Sequence, residues 1–246
     1  MTAVRRHRLR GWRRWLRRIV LVLAVLLVLA ALVGGLAYRF ALPGVGDANA
    51  RVVAIVRTNH GRMGYLTPTA KLAVAAVAVE DDRFYDNTFV DVFYGAARAA
   101  VATLRGAGDA GGSTIAQQLA KRLYGTGSGP LASIRELALG VKLSTSYSRS
   151  QVLDMYLNAA YFGNGYWGAV AAARGYFGVA PSRLTWSEAA MLAGLLQAPS
   201  AYDPLYHLRL AKERQRHVLD RLVADGRLSP AAAQVAYRAR LPLRDV

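Results

Sequence analysis

Residues 19 to 37 constrain this chain more than any other stretch. Ile19 to Ala37 is a run of 19 residues without a charge, built from Leu, Val, Ala, Ile and Gly. As a helix rising about 1.5 Å per residue, it just spans a hydrocarbon core of about 30 Å. Eight arginines precede it (Arg5, Arg6, Arg8, Arg10, Arg13, Arg14, Arg17 and Arg18), with no acid among them, and Trp12 and Trp15 stand as interfacial anchors. Only Arg39 and Arg51 follow closely. That asymmetry predicts a cytoplasmic basic arm at 1–18, a transmembrane helix at 19–37 and everything later outside the cytoplasm. The rival is a cleaved signal peptide, whose apolar region usually runs only about 7–15 residues. Ala48-Asn49-Ala50 mimics a cleavage site but lies far beyond the apolar run, so the anchor is favoured.

Charge and composition narrow what the outer part does. The 246 residues carry 32 Lys and Arg against 15 Asp and Glu, a net charge of +17. Without the eight arginines of the arm, 24 cations still face 15 acids, so the remainder is basic too. A basic surface suits nucleic acid, anionic lipid or a phosphorylated substrate. A domain facing away from the cytoplasm does not meet nucleic acid, which leaves the other two. The absence of cysteine excludes disulfides and Cys-ligated zinc.

Helical signals dominate the rest, and no alternation is long enough for a sheet. Residues 38–68 contain Pro43, Gly44, Gly46, Gly61, Gly64 and Pro68. They read as a linker, set at 38–60, with at most a short strand at Arg51–Arg57. Helices are predicted from Thr69 to about Val79, Val90 to Leu104, Ser113 to Tyr124, Leu131 to Tyr147 and Ser150 to Ala160. Four more follow at about 168–177, 185–196, 207–225 and 229–239, while Gly106 to Gly112 forms a loop. The fold class is all-α.

Chemistry concentrates between Glu80 and Tyr124. Glu80, Asp81 and Asp82 end an apolar helix, where the dipole disfavours acids and crowded like charge raises at least one carboxyl pKa. A raised carboxyl suits a general base near neutral pH; the plainer alternative is solvated capping acids. Gly111-Gly112-Ser113-Thr114 fits a helix start whose free amides bind phosphate, or simply an ordinary capped helix. Ser113, Gln117 and Lys121 share one face, and Thr114, Gln118 and Arg122 the next stripe. Glu136 is the only acid between Asp109 and Asp154 and so the only partner there for a two-carboxylate mechanism.

These motifs occur in an order that resembles a known family. They are Glu80-Asp81-x-x-Phe84-Tyr85, Asp91, Arg98-Ala99, Gly111-Gly112-Ser113-Thr114-Ile115-x-Gln117-Gln118-x-x-Lys121, Tyr156-Leu157-Asn158 and Tyr161-Phe162-Gly163. Glu188-Ala-Ala-Met-Leu-Ala-Gly, Gln197-Ala-Pro-Ser200, Asp203-Pro204 and Val218-Leu-Asp-Arg follow. Over roughly 61–240 the chain is similar to the peptidoglycan glycosyltransferases of glycosyltransferase family 51. The resemblance implies a lysozyme-like helical lobe with a smaller membrane-associated lobe containing Phe89, Val92, Phe93 and Tyr94. It implies polymerisation of lipid II into β-1,4 glycan strands at the outer face of the cytoplasmic membrane, with undecaprenyl diphosphate leaving and the linkage inverting. Glu80 matches the base that takes the acceptor 4-hydroxyl proton, and Glu136 the residue that assists at the donor diphosphate. Asp81, Phe84, Ser113, Thr114, Gln117, Gln118, Lys121, Arg122 and Asn158 fall at substrate-binding positions. No cofactor is required by the likeness, a divalent cation (Mg or Mn) is an option, and no metal ligands are assigned. The implied partners are lipid II, the nascent strand, membrane lipid and other cell-wall synthesis proteins. Because the chain stops near 246, the expectation is a monofunctional member.

The chain also departs from the family pattern. Asn87 stands where a His is usual, Phe89 for Gly, Ala116 for Thr and Ser144 for Glu. Ala132 and Ser133 occupy the places of an Arg-Lys pair, and residues 125–134 hold no cation. Each lost charge-assisted phosphate contact costs about 1.5–3 kcal/mol. The alternative reading is therefore a catalytically impaired, membrane-anchored lipid II binder or scaffold; a lysozyme-like hydrolase fits the motifs less well.

Overall fold

The computed structural model describes the backbone of residues 3–86, 113–125 and 127–244, with side chains from residue 15 onward except 27, 30, 31, 37 and 130. Two units result, residues 1–43 and 44–246. The first is one helix, α1 (Ala3–Leu36), which continues into a π-helical turn at Ala37–Ala41. Leu21, Leu23, Leu26, Leu29, Leu32, Val33 and Leu36 are all at least half exposed along it. Among the described residues no helix is long and apolar enough to cross a membrane. The crossing expected for 19–37, which takes in Leu27, Ala30, Ala31 and Ala37 outside the described side chains, rests on the sequence.

In the second unit the order is α2 (Ala48–Thr58), α3 (Lys71–Glu80), α4 (Ile115–Tyr124), α5 (Pro130–Ser146), α6 (Arg149–Ala159) and α7 (Ala169–Phe177). A 3₁₀ turn (Pro181–Arg183) and α8 (Trp186–Leu195), α9 (Leu208–Ala224) and α10 (Pro230–Arg238) complete it. Among the described residues there is no strand, only an isolated bridge between Tyr161 and Trp167. The helical boundaries fall within two residues of those expected from the sequence wherever they can be compared. One expectation fails: Arg51–Arg57 is not a strand in a linker but part of α2, whose Ala48, Val52 and Val56 are buried in this unit. Asp47 accepts from the Arg51 side chain one turn on, at 2.7 Å, and so supports that helix start. The helix expected at Val90–Leu104, the glycine loop and the smaller lobe at Phe89–Tyr94 lie outside the described residues.

Two apolar helices make the core. α3 is Ala- and Val-rich with almost no polar face, and Leu72, Ala73, Ala75, Ala76, Val77 and Ala78 are all buried. α8 is buried at every position from Ser187 to Leu195. Small side chains let α3, α8 and α9 pack closely. α9 is amphipathic and turns Val218, Leu219 and Leu222 inward. α4 buries Ile115, Ala116, Leu119, Ala120 and Leu123 against α5 and α6. The end of α3 therefore emerges beside α4, α6 and α9.

Candidate active site

Glu80 is the last residue of α3, and its side chain is only 10% exposed. Gln118 on α4 donates through Nε2 to Glu80 Oε2 at 2.8 Å. The Tyr156 hydroxyl on α6 donates to Gln118 Oε1 at 2.9 Å, so both ends of the Gln118 amide are fixed. Burial, partly offset by the Arg122 charge, pushes the Tyr156 phenol far above its ordinary value and keeps it a donor. The Arg122 guanidinium stacks over the Tyr156 ring at 4.4 Å. This chain of contacts gives Glu80 one orientation.

On its other side Glu80 faces a cation from α9. Arg214 lies 4.0 Å from Glu80 Oε1 and is itself 13% exposed. Gly194 on α8 makes room for it, since a Cβ there would come 2.9 Å from Arg214 Cγ. One helical repeat on, Arg221 donates to the Ala78 carbonyl at 3.2 Å and pairs with Asp82 at 2.7 Å. Three acids at a helix C-terminus are unfavourable alone. Arg214 and Arg221 supply the compensating charge, and Arg221 also satisfies an orphan carbonyl of α3. Sequence reasoning passed over Arg214 and had Arg221 only as the last residue of the Val218-Leu-Asp-Arg motif. Their spacing of seven on one face of α9 was the available signal, but nothing in it says which helix they face.

The raised carboxyl is Asp81. Burial lifts it from 3.8 to about 6, the neighbouring Asp82 and Glu80 charges add to this, and the Ile115 amide and Arg149 act against it. Asp81 Oδ2 accepts the Ile115 N–H at 3.1 Å and so occupies the start of α4. Thr114 caps the same helix: its hydroxyl accepts from Gln117 N while Gln117 Oε1 accepts from Thr114 N at 2.7 Å. Of the two readings of this helix start, the ordinary cap is the one seen at Thr114, Ile115 and Gln117. Gly111 and Gly112 lie outside the described residues. Ser113 is half-buried beside this cap.

The other predicted site residues divide between partly exposed and buried positions. Lys121 on α4 reaches Glu136 on α5 at 3.8 Å, with Lys121 63% exposed and Glu136 18%. Gln118 and Lys121 are three apart, so one face of α4 ties in both carboxylates. Phe84 is buried, with the Arg149 guanidinium 5.6 Å from its ring centre. Asn158 is fully buried and spent on structure: Nδ2 donates to the Gly64 and Asp154 carbonyls and Oδ1 accepts from Gly64 N. It clamps α6 to the segment before α3 and has no surface to offer a ligand. Ala132, at one of the altered positions, is buried. Among the described residues no cluster of His, Asp or Glu has the form of a metal site.

Comparison with known proteins identifies the family. Residues 52–223 match the model of the transglycosylase family. The chain belongs to that family, glycosyltransferase family 51. It is 42% identical over 163 residues to penicillin-binding protein 2a of Streptococcus pneumoniae, covering 65% of this chain and 22% of that protein. It is 37% identical over 175 residues to a protein of Cupriavidus necator named "Putative transglycosylase", covering 71% of this chain and 75% of that one. Among solved structures, penicillin-binding protein 1A of Haemophilus influenzae aligns at 34% identity over 41% of this chain and 15% of that one, with a TM-score of 0.39. The chain thus matches about a fifth of the length of the penicillin-binding relatives.

Proposed function

We propose that the chain is a peptidoglycan glycosyltransferase that polymerises lipid II. The observation that carries the reading is Glu80, a nearly buried carboxylate held by Gln118 and faced by Arg214. Family membership supports the same reaction class. In the proposed step the acceptor sugar's 4-hydroxyl gives its proton to Glu80. The freed oxygen attacks C1 of the donor from the face opposite the diphosphate. The C1–O bond to undecaprenyl diphosphate breaks as the β-1,4 bond forms. Fixing the base costs no reorganisation at the moment of reaction. Glu136 and Lys121 are assigned to the donor side, with Lys121 meeting the phosphate charge.

The 19 uncharged residues and the eight arginines before them support a single crossing with the N-terminus in the cytoplasm. That topology holds the basic unit at the outer face, where a lipid-linked diphosphate is presented. A specific observation favours a second reading: residues 125–134 carry no cation. A weakened polymerase or a lipid II-binding scaffold would follow from that loss.

The test is the product. Full-length protein in detergent is incubated with lipid II, and the reaction is run on a gel before and after digestion with a muramidase. Polymer that the muramidase removes supports the polymerase. Lipid II bound without polymer selects the scaffold.

A further inference from the structure

The second unit carries another concavity, which shares no residue with the Glu80 and Glu136 site. It is an open pocket of about 530 Å³ between the turn after α2 and the flank of α7. That volume is in the range of small-ligand sites. His60, Arg62 and Arg174 line it, and no acidic residue does. Both arginines are exposed, and neither has an acidic partner among the described residues. Two guanidinium groups, one from each side of the pocket and neither with an acidic partner among the described residues, are a standing attraction for carboxylate or phosphate.

Tyr166 supplies the other half of the site. Its ring packs against Gly175, where a Cβ would come within 2.2 Å of Cζ and 2.4 Å of Cε1. Only glycine allows that approach. The ring is also held edge-on to Tyr176, with centroids 5.0 Å apart at 78°. Tyr166 stays half-buried and lines the pocket with Val170. A fixed aromatic face beside two free arginines suits a ligand with a flat apolar ring face and negative charge. A bare phosphate would use the arginines but not the ring, and an apolar ligand would use the ring but not the arginines. A sugar that carries carboxylates uses both.

We propose that this pocket binds a carboxylate-bearing sugar unit of a glycan strand, a sugar–peptide repeat, away from the site where the bond is made. The inference rests on the proposed function only for the source of that ligand. To test it, full-length protein in detergent is titrated with a soluble disaccharide-tetrapeptide, with the same disaccharide lacking the peptide, and with inorganic phosphate. The disaccharide-tetrapeptide binds saturably, and Arg62→Gln and Arg174→Gln each weaken binding by about tenfold. The bare disaccharide and phosphate bind more weakly. The proposal is overturned by no saturable binding or by equal affinity in both arginine variants. Phosphate or bare disaccharide binding as tightly as the disaccharide-tetrapeptide overturns it too. Polymer formation from lipid II is scored separately: its absence counts against the polymerase reading and leaves the titration standing.

Discussion

Removing the cation that faces Glu80 is the sharpest probe of how the site is held. Arg214 sits 4.0 Å from Glu80 Oε1, with both side chains about nine-tenths buried. At an effective dielectric of about 20, two unit charges at that separation attract by about 4 kcal/mol. Deleting one partner of a buried pair costs about 3–5 kcal/mol, because the other is left uncompensated. The slight exposure of both groups moves the expectation for Arg214→Gln to about 2–3 kcal/mol of stability. Glu80→Gln keeps the acceptor for Gln118 Nε2, so its cost comes mainly from stranding Arg214. The double variant strands neither charge. Its loss should therefore fall short of the summed single losses by about 1–2 kcal/mol. Urea unfolding of the four proteins in the same detergent at neutral pH reads this coupling. Additivity within about 0.5 kcal/mol would refute the claim that Arg214 and Glu80 are an energetic pair.

Three further outcomes follow from the same geometry. Asp81 binds its proton more tightly folded than unfolded, so its ionisation opposes folding: the stability it permits is full below about pH 3.8 and falls as pH rises to about 6. At about 1.4 kcal/mol per pH unit that loss is about 3 kcal/mol, so Asp81→Asn should be the more stable protein at pH 7 and flatten the stability profile between those values; an unchanged profile counts against it. Gly194→Ala pushes a Cβ to 2.9 Å from Arg214 Cγ and should cost about 1–2 kcal/mol of stability together with polymerisation rate, and full activity in that variant would show that the position of Arg214 is irrelevant. Thr114→Ala removes one side of the capping box on α4 and should cost about 1 kcal/mol, measured by thermal unfolding; no change would mean that Asp81 alone holds the helix start.

The helices were legible because their signals are local. Apolar periodicity, Pro130 and Pro230 at helix starts and the Ser or Thr caps are all short-range features. The exception, α2, shows the limit: Arg51-Val-Val-Ala-Ile-Val-Arg57 is β-branched enough to suggest a strand, and tertiary burial of Val52 and Val56 decided for helix. In the site, Glu80, Gln118, Lys121 and Glu136 could be singled out because they stand as polar residues among apolar ones. What could not be read was which helices meet. Arg214 is 134 positions from Glu80, and Asn158 is 94 from Gly64. The same limit hid the partner of Gln117: it shares the helical face of Lys121, yet its amide turns back to Thr114. The raised carboxyl was expected from like charge, whereas burial is the larger cause and it falls on Asp81.

The central claim is that Glu80 takes the acceptor proton, and one paired measurement bears on it directly. Lipid II binding and the initial rate of glycan polymerisation are measured for wild type and Glu80→Gln under the same conditions. The account predicts equal binding, with the variant's rate lower by at least about 100-fold, the usual contribution of a positioned general base. Polymerisation by Glu80→Gln at the wild-type rate would contradict it.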